Sequence, residues 1–177
     1  MIEAIDIQPL LFRVEPLEGE SLSPFLGRFR GANELTPTRL GKMAGLGGAI
    51  ARCEKFRFNP PPSLEQLEAL AVVVRVEGDR LVQMLPFAGV GMKMEPIRLC
   101  AACYAKSPCH KIEWQFKTTE GCDRHELNLL SECPSCGARF KIPSVWADGW
   151  CQRCFTPLAK MVKWQNPINF IDNLGLR

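Results

Sequence analysis

Residues 100–154 read CAACYAKSPCHKIEWQFKTTEGCDRHELNLLSECPSCGARFKIPSVWADGWCQRC. Reduced to its cysteine and histidine spacing, the run is C-x2-C, eighteen residues, C-x2-H, seven residues, C-x2-C, fourteen residues, C-x2-C. Two residues between ligands let one tight turn aim both side chains at a single ion, with Zn–S near ~2.3 Å and Zn–N near ~2.0 Å. The four pairs supply two tetrahedral sets. Cys100, Cys103, Cys122 and His125 form one, and Cys133, Cys136, Cys151 and Cys154 the other. Four closed positions leave no place for a water, so two structural Zn2+ ions are expected rather than a catalytic one.

Other uses of these cysteines fit less well. A disulfide framework belongs to secreted chains, and the early acidic residues Glu3, Asp6, Glu15, Glu18 and Glu20 are unlike a secretory leader. A reducing cytoplasm is expected. A zinc deaminase needs H-x-E followed by P-C-x-x-C; here Glu126 directly follows His125, and Pro134 lies inside its pair. Joining neighbouring pairs closes the shorter loops and costs less chain entropy; cross-braced pairing is the alternative. Cys109 and His110 stand close enough in sequence to replace a ligand of the first site, and Cys53 reads as a small buried hydrophobe.

Outward from this run, the chain has 177 residues, 46% hydrophobic and 23% charged, which suits one or two small globular domains. No apolar run reaches the ~18 residues of a membrane span. The formal net charge is +3, but seven thiolates and two divalent ions together change it by −3, leaving the loaded chain near neutral. General affinity for nucleic-acid backbone is therefore not implied, and any such contact must come from a local patch.

The N-terminal part reads as helical. Ile5 to Val14 is extended in character. Ser21 or Ser23 can cap a helix with Pro24 in its first turn, and Leu22, Phe25, Leu26 and Phe29 mark its buried face; Arg28 and Arg30 lie off that stripe. Thr36-Pro37 starts a second short helix. Gly41-Lys42 is no phosphate loop, since Thr36 stands where the first glycine belongs and Met43 where Ser or Thr would hold magnesium. Arg52, Lys55 and Arg57 interleave with Phe56 and Phe58, a composition that serves either RNA contact or simple packing beneath solvated charges. Ser63 with Gln66 is a capping box. It opens a helix with Leu67, Leu70, Ala71 and Val74 inward. A turn at Glu77-Gly78 and a helix from Asp79 to Leu85 complete a helix-turn-helix pattern. Its outward set, Asp79, Arg80, Val82 and Gln83, is poor for reading bases.

Phe87 to Pro96 reads as a linker. Beyond it Ile112, Trp114 and Phe116 alternate with polar residues as in a half-buried strand, Phe140 and Ile142 suggest another, and Leu158 to Trp164 a short helix. The expected fold is α+β: an N-terminal arm and helix-turn-helix domain over 1–95, zinc-finger modules over 96–130 and 131–160, and a C-terminal tail over 161–177. No nucleophile–base pair, acidic metal cluster or open metal position is visible, so catalysis is not expected.

These residues resemble the TniQ family. The resemblance rests on Glu18-Gly19-Glu20-Ser21-Leu22-Ser23, then Leu26, Arg28 and Ala32-Asn33. It continues through Arg98-Leu99-Cys100-Ala101-Ala102-Cys103, Trp114, Cys122-Asp123-Arg124-His125, Cys133-Pro134-Ser135-Cys136-Gly137 and Cys151-Gln152-Arg153-Cys154. It covers roughly residues 10 to 160. Ala101 stands where many relatives carry proline, a departure that touches no ligand. The small size is similar to the short TniQ of type V-K CRISPR-associated transposons. The resemblance implies a non-enzymatic target-selection adaptor that links an RNA-guided effector, with its guide and tracrRNA, to the AAA+ ATPase TnsC and so to the transposase, near target DNA. Neither a membrane nor a small-molecule substrate is implied. The basic residues expected to meet RNA or a protein partner are Arg28, Arg30, Arg52, Lys55, Arg57, Lys111, Lys117 and Arg124. A zinc-ribbon and helix-turn-helix transcription factor is the alternative.

Overall fold

A computed structural model describes residues 11–168. Among them are six α-helices, several short 3-10 turns and one two-stranded sheet. The fold is thus mixed and helix-rich. The stretch from Ile5 expected to be extended falls mostly outside the described residues, and Leu11 to Val14 has no regular structure.

Helix α1 spans Leu22–Ala32, and its apolar stripe of Leu22, Phe25, Leu26 and Phe29 is fully buried. α2, Pro37–Met43, begins at Thr36, whose side chain accepts from the Arg39 amide. α3, Ala49–Glu54, was not expected: it buries Ile50 and Cys53 and carries the basic stretch at its end. α4, Leu64–Val74, has both halves of the Ser63–Gln66 capping box and buries Leu67, Leu70 and Val74. These helices enclose one core with Val76, Leu81 and Met84.

Several expectations need correction. The turn after α4 is made not by Glu77-Gly78 but by Arg75, held left-handed at φ 59°. Gly78 instead opens α5, Gly78–Val82, which ends short of Leu85. Ile112–Gln115 is a 3-10 turn rather than a strand. The alternating pattern misleads there because Gln115, polar and expected outward, is completely buried. Its amide donates to the carbonyls of Lys93 and Pro96 and accepts from the Arg98 amide at 2.8 Å. Phe140 and Ile142 lie in no strand; an isolated bridge pairs Glu132 with Arg139, and a 3-10 turn follows at Pro143–Val145. Leu158–Trp164 is also 3-10, with Leu158 and Met161 buried. Phe87 to Pro96 is no free connection: Met92 bridges to Phe116, Lys93 donates to Gln115, and Phe87 stacks edge-on against Phe116.

A second core gathers Ile97, Leu99, Tyr104, Trp114, Phe140, Trp146, Leu158 and Met161 around the ligand cysteines, and Phe56 joins it from the end of α3. The seam between the cores is polar and closed. Ser21, at the N-terminal end of α1, caps nothing with its side chain. Its hydroxyl lies 3.0 Å from His110 Nδ1, and its amide donates to the His110 carbonyl. Ser23 Oγ donates to the Glu54 carbonyl and accepts from the Ser144 amide at 3.1 Å. His110 is fully buried between Phe56, Trp114 and Trp146. Burial foremost pushes its pKa down to about 3; Gln115 opposes this, and the charges of Arg98 and Lys111 add smaller downward effects.

Candidate metal centres

The first cluster is assembled from two local structures. Cys100 precedes helix α6, Ala101–Lys106, and Cys103 lies in its first turn. Cys122 ends strand β1, Gly121–Cys122, which pairs antiparallel with β2, Leu127–Asn128, and His125 sits in the turn between them. Buried Gln165 ties the halves together: its Oε1 accepts from the Ala101 amide and its Nε2 donates to the Asn128 carbonyl, each at 2.8 Å. The sequence did not point to Gln165, which lies 40 residues beyond the last ligand of this set.

The second cluster is built from two copies of one turn. The Cys133 amide donates to the Ala138 carbonyl, and the Gly137 amide to the Cys133 carbonyl. Likewise the Cys151 amide donates to the Thr156 carbonyl, and the Phe155 amide to the Cys151 carbonyl. The fourth residue after the leading cysteine is left-handed in both, Gly137 at φ 66° and Phe155 at φ 59°, and Glu126, fourth after Cys122, repeats this at φ 53°. Gly137 adopts that conformation freely; Phe155 and Glu126 do so against the usual steric penalty of a side chain. Three of the four ligand pairs thus share one backbone device.

The donor atoms of each set lie within 4.8 Å of one another, so neighbouring pairs are joined in the sequential arrangement. In the first set the Cys103 and Cys122 sulfurs are 3.5 Å apart, and His125 Nδ1 lies 3.8, 3.3 and 3.6 Å from Cys100, Cys103 and Cys122. In the second, Cys133 to Cys154 is 3.6 Å and Cys136 to Cys151 is 3.7 Å. A regular tetrahedron around an ion with bonds of zinc length puts sulfurs about 3.8 Å apart and sulfur to nitrogen about 3.6 Å. The sulfurs are much too far apart for S–S bonds, which need about 2.05 Å. Both sets fit a four-coordinate divalent ion.

The acidity of the sulfurs is set by burial, by one another and by nearby hydrogen bonds. Burial and the neighbouring sulfurs push the Cys103 thiol up, and burial foremost lifts Cys133 to about 12. The Thr156 hydroxyl and amide instead draw Cys154 down to about 6. Clustered thiolates repel one another; a divalent cation among them reverses that balance and holds them deprotonated. Burial, and then Lys106 and Arg124, keep His125 below its ordinary value, favouring the neutral, ligating imidazole. Cys109 faces the Ser107 hydroxyl, His110 faces Ser21, and Cys53 packs in the helical core; none belongs to either set.

The basic candidates are scattered. Arg28 pairs with fully buried Glu20 at 2.6 Å, and Arg30 with buried Glu54 at 2.6 Å. The Lys111 ammonium donates to the Glu18 carbonyl. Arg52 is half-buried on α3, while Lys117 and Arg124 are exposed. Lys55 and Arg57 are exposed beside one another, at the edge of a cleft shared with the second cluster.

The family model of TniQ matches residues 11–129, well over half of the chain. The chain belongs to the TniQ family. The match takes in the helical part and the whole first cluster and stops short of Cys133, so the second cluster lies beyond it. No curated protein matches the chain at a significant level. TniQ is a transposition-associated, non-enzymatic domain family. No helix among the described residues is long and apolar enough to cross a membrane.

Proposed function

We propose that this TniQ chain is a non-enzymatic target-selection adaptor of a type V-K CRISPR-associated transposon. It would join the RNA-guided effector, with its guide and tracrRNA, to the ATPase TnsC and through it to the transposase, close to target DNA in the bacterial cytoplasm. The observation that carries the reading is the TniQ match, which spans the helical part and the first metal centre as one unit. The metal in both centres is zinc on this reading: seven sulfurs and one imidazole at tetrahedral spacing are its preferred donors. The ions act as structural clamps, and α4 with α5 serves as a helix-turn-helix scaffold for protein docking.

The same geometry speaks against a transcription factor. α5 has five residues, and its arginine, Arg80, is occupied by the Leu17 carbonyl and the Gln83 side chain. A recognition helix needs several free donors along the major groove. The test is reconstitution of RNA-guided insertion from effector, guide, TnsC and transposase, with the zinc-loaded chain added or omitted. Guided insertion should depend on the chain, and the chain should co-purify with TnsC. Insertion at an equal level without it would refute the adaptor.

A further inference from the structure

Two clefts adjoin at the second metal centre. The larger, about 860 Å³, is lined by Lys55 and Arg57 from the helical part and by Arg139 and Lys141 from the second centre. The smaller, about 430 Å³, shares Arg139, Phe140 and Lys141 and continues to Trp150 and Arg153. Five cationic side chains therefore follow one path, and among the described residues Glu95 is the one carboxylate lining either cleft. All five are exposed, and none is ion-paired among the described residues. Trp150 presents its indole on the same path, 45% exposed.

The path is built on fixed backbone. Arg139 is bridged to Glu132, and Trp146 Nε1 donates to the Lys141 carbonyl at 2.8 Å. Trp150 is bridged to Pro157, and Arg153 Nη1 reaches the Cys136 carbonyl at 3.5 Å. Lys55 and Arg57 are held opposite by Phe56, buried in the metal-centre core.

We infer that this channel binds single-stranded RNA, with Lys55, Arg57, Arg139, Lys141 and Arg153 on successive phosphates and Trp150 stacked on an unpaired base. A charged groove with an exposed aromatic is the arrangement that holds single strands without reading sequence. In a chain near neutrality once loaded with metal, five unpaired cations beside one carboxylate are a local field, and a polyanion is the ligand that answers it. A duplex fits less well, since its bases are stacked inside and give Trp150 no partner. The inference deepens the adaptor reading and rests on it for its biological role, not for the binding.

The test uses the metal-loaded full chain and a labelled oligouridylate of about 15 nucleotides, followed by fluorescence anisotropy across a salt series. Arg139→Gln with Lys141→Gln should weaken binding and flatten the slope of log K against log salt by about 1.4, the share of two phosphate contacts on a single strand. Trp150→Ala should weaken binding about tenfold, and Trp150→Phe should restore most of it. Lys42→Gln with Lys160→Gln, exposed and lining neither cleft, should leave affinity and slope close to wild type, and a loss as large as that of the Arg139, Lys141 pair would overturn the channel. Metal content and circular dichroism identify misfolded variants. Wild-type binding and slope in a correctly folded Arg139→Gln, Lys141→Gln protein would overturn the channel. So would unchanged RNA binding accompanied by loss of an acidic protein partner, which would assign the cleft to protein. RNA binding that behaves as expected in a chain dispensable for guided insertion would leave the channel standing and remove the adaptor instead.

Discussion

Gly27→Ala should be one of the most damaging small substitutions in the chain. Gly27 lies mid-way along α1 and faces the 3-10 turn Pro143–Val145 across the seam. A Cβ there would overlap the Ser144 carbonyl oxygen and lie 2.7 Å from its carbonyl carbon and Cα. All three are backbone atoms, so no side chain can swing away, and α1 must part from the turn by about 1 Å to reach ordinary contact. Separation breaks the 3.1 Å hydrogen bond from the Ser144 amide to Ser23 Oγ. Overpacking costs about 1–3 kcal/mol, and the stranded buried amide a further ~1–3 kcal/mol. Against this, alanine gains about 1 kcal/mol over glycine inside a helix. The net is a loss of about 1–5 kcal/mol, or roughly 2–20 °C in melting temperature for a chain of this size. The control is Gly31→Ala in the same helix, where a Cβ meets nothing within 4 Å; it should be neutral or stabilising. Thermal unfolding of the two metal-loaded variants, followed by circular dichroism, decides the matter. A Gly27→Ala protein melting at or above Gly31→Ala would show that the seam is not closed.

Three further outcomes are expected. Cys133→Ser should lower bound metal from two ions to one per chain and unfold the second centre, since structural zinc contributes on the order of 10 kcal/mol of apparent folding energy; Cys109→Ser should retain both, and elemental analysis reads each result. Arg30→Ala should lower the unfolding free energy measured by denaturant titration by about 3–5 kcal/mol, because Glu54, with 5% of its side chain exposed, is left as an uncompensated buried carboxylate. His110 stays neutral in the fold down to about pH 3, whereas the unfolded chain takes up a proton near 6.5. The unfolded state therefore binds the extra proton between those values. The contribution is complete above about pH 6.5 and is lost as pH falls, by up to ~1.4 kcal/mol per unit. His110→Gln should remove that slope, and comparing the two pH profiles cancels the common effect of the thiolate ligands.

What the sequence disclosed was what short-range rules control. The ligand spacing and the Ser63–Gln66 capping box are each written within a few residues, and the Leu22, Phe25, Leu26, Phe29 stripe within one helix. Tertiary chemistry overrode local pattern elsewhere. Arg28 and Arg30 read as free surface charges because their carboxylates, Glu20 and Glu54, lie 8 and 24 residues away. Gln115 broke an apparent strand because three backbone groups of a neighbouring loop needed an amide in the interior. α3 is only six residues long, too short for its periodicity to separate from that of a loop. The cationic path was invisible because Lys55 and Arg139 meet only after both cores have formed.

The polar character of the seam bears on how that path is held. Two apolar faces can slide over one another at little cost, since dispersion and burial are nearly indifferent to register. Ser21 on His110 and Ser23 between Glu54 and Ser144 are not indifferent: each bond is buried, and a shift of one residue would strand its donor or acceptor at ~1–3 kcal/mol apiece. The seam thus selects one placement of α1, and through Glu54 one placement of α3. Lys55 and Arg57 follow α3 directly, while Ser144 lies three residues beyond Lys141. The same few hydrogen bonds that join the cores therefore fix the width of the cleft between the two halves of the cationic path. A metal ion in the second centre would do the complementary task. It would pin Cys133 and Cys136 to Cys151 and Cys154, and so fix Arg139 and Lys141 relative to Trp150 and Arg153. A binding surface drawn from segments almost a hundred residues apart in sequence needs both constraints, one across the seam and one across the metal.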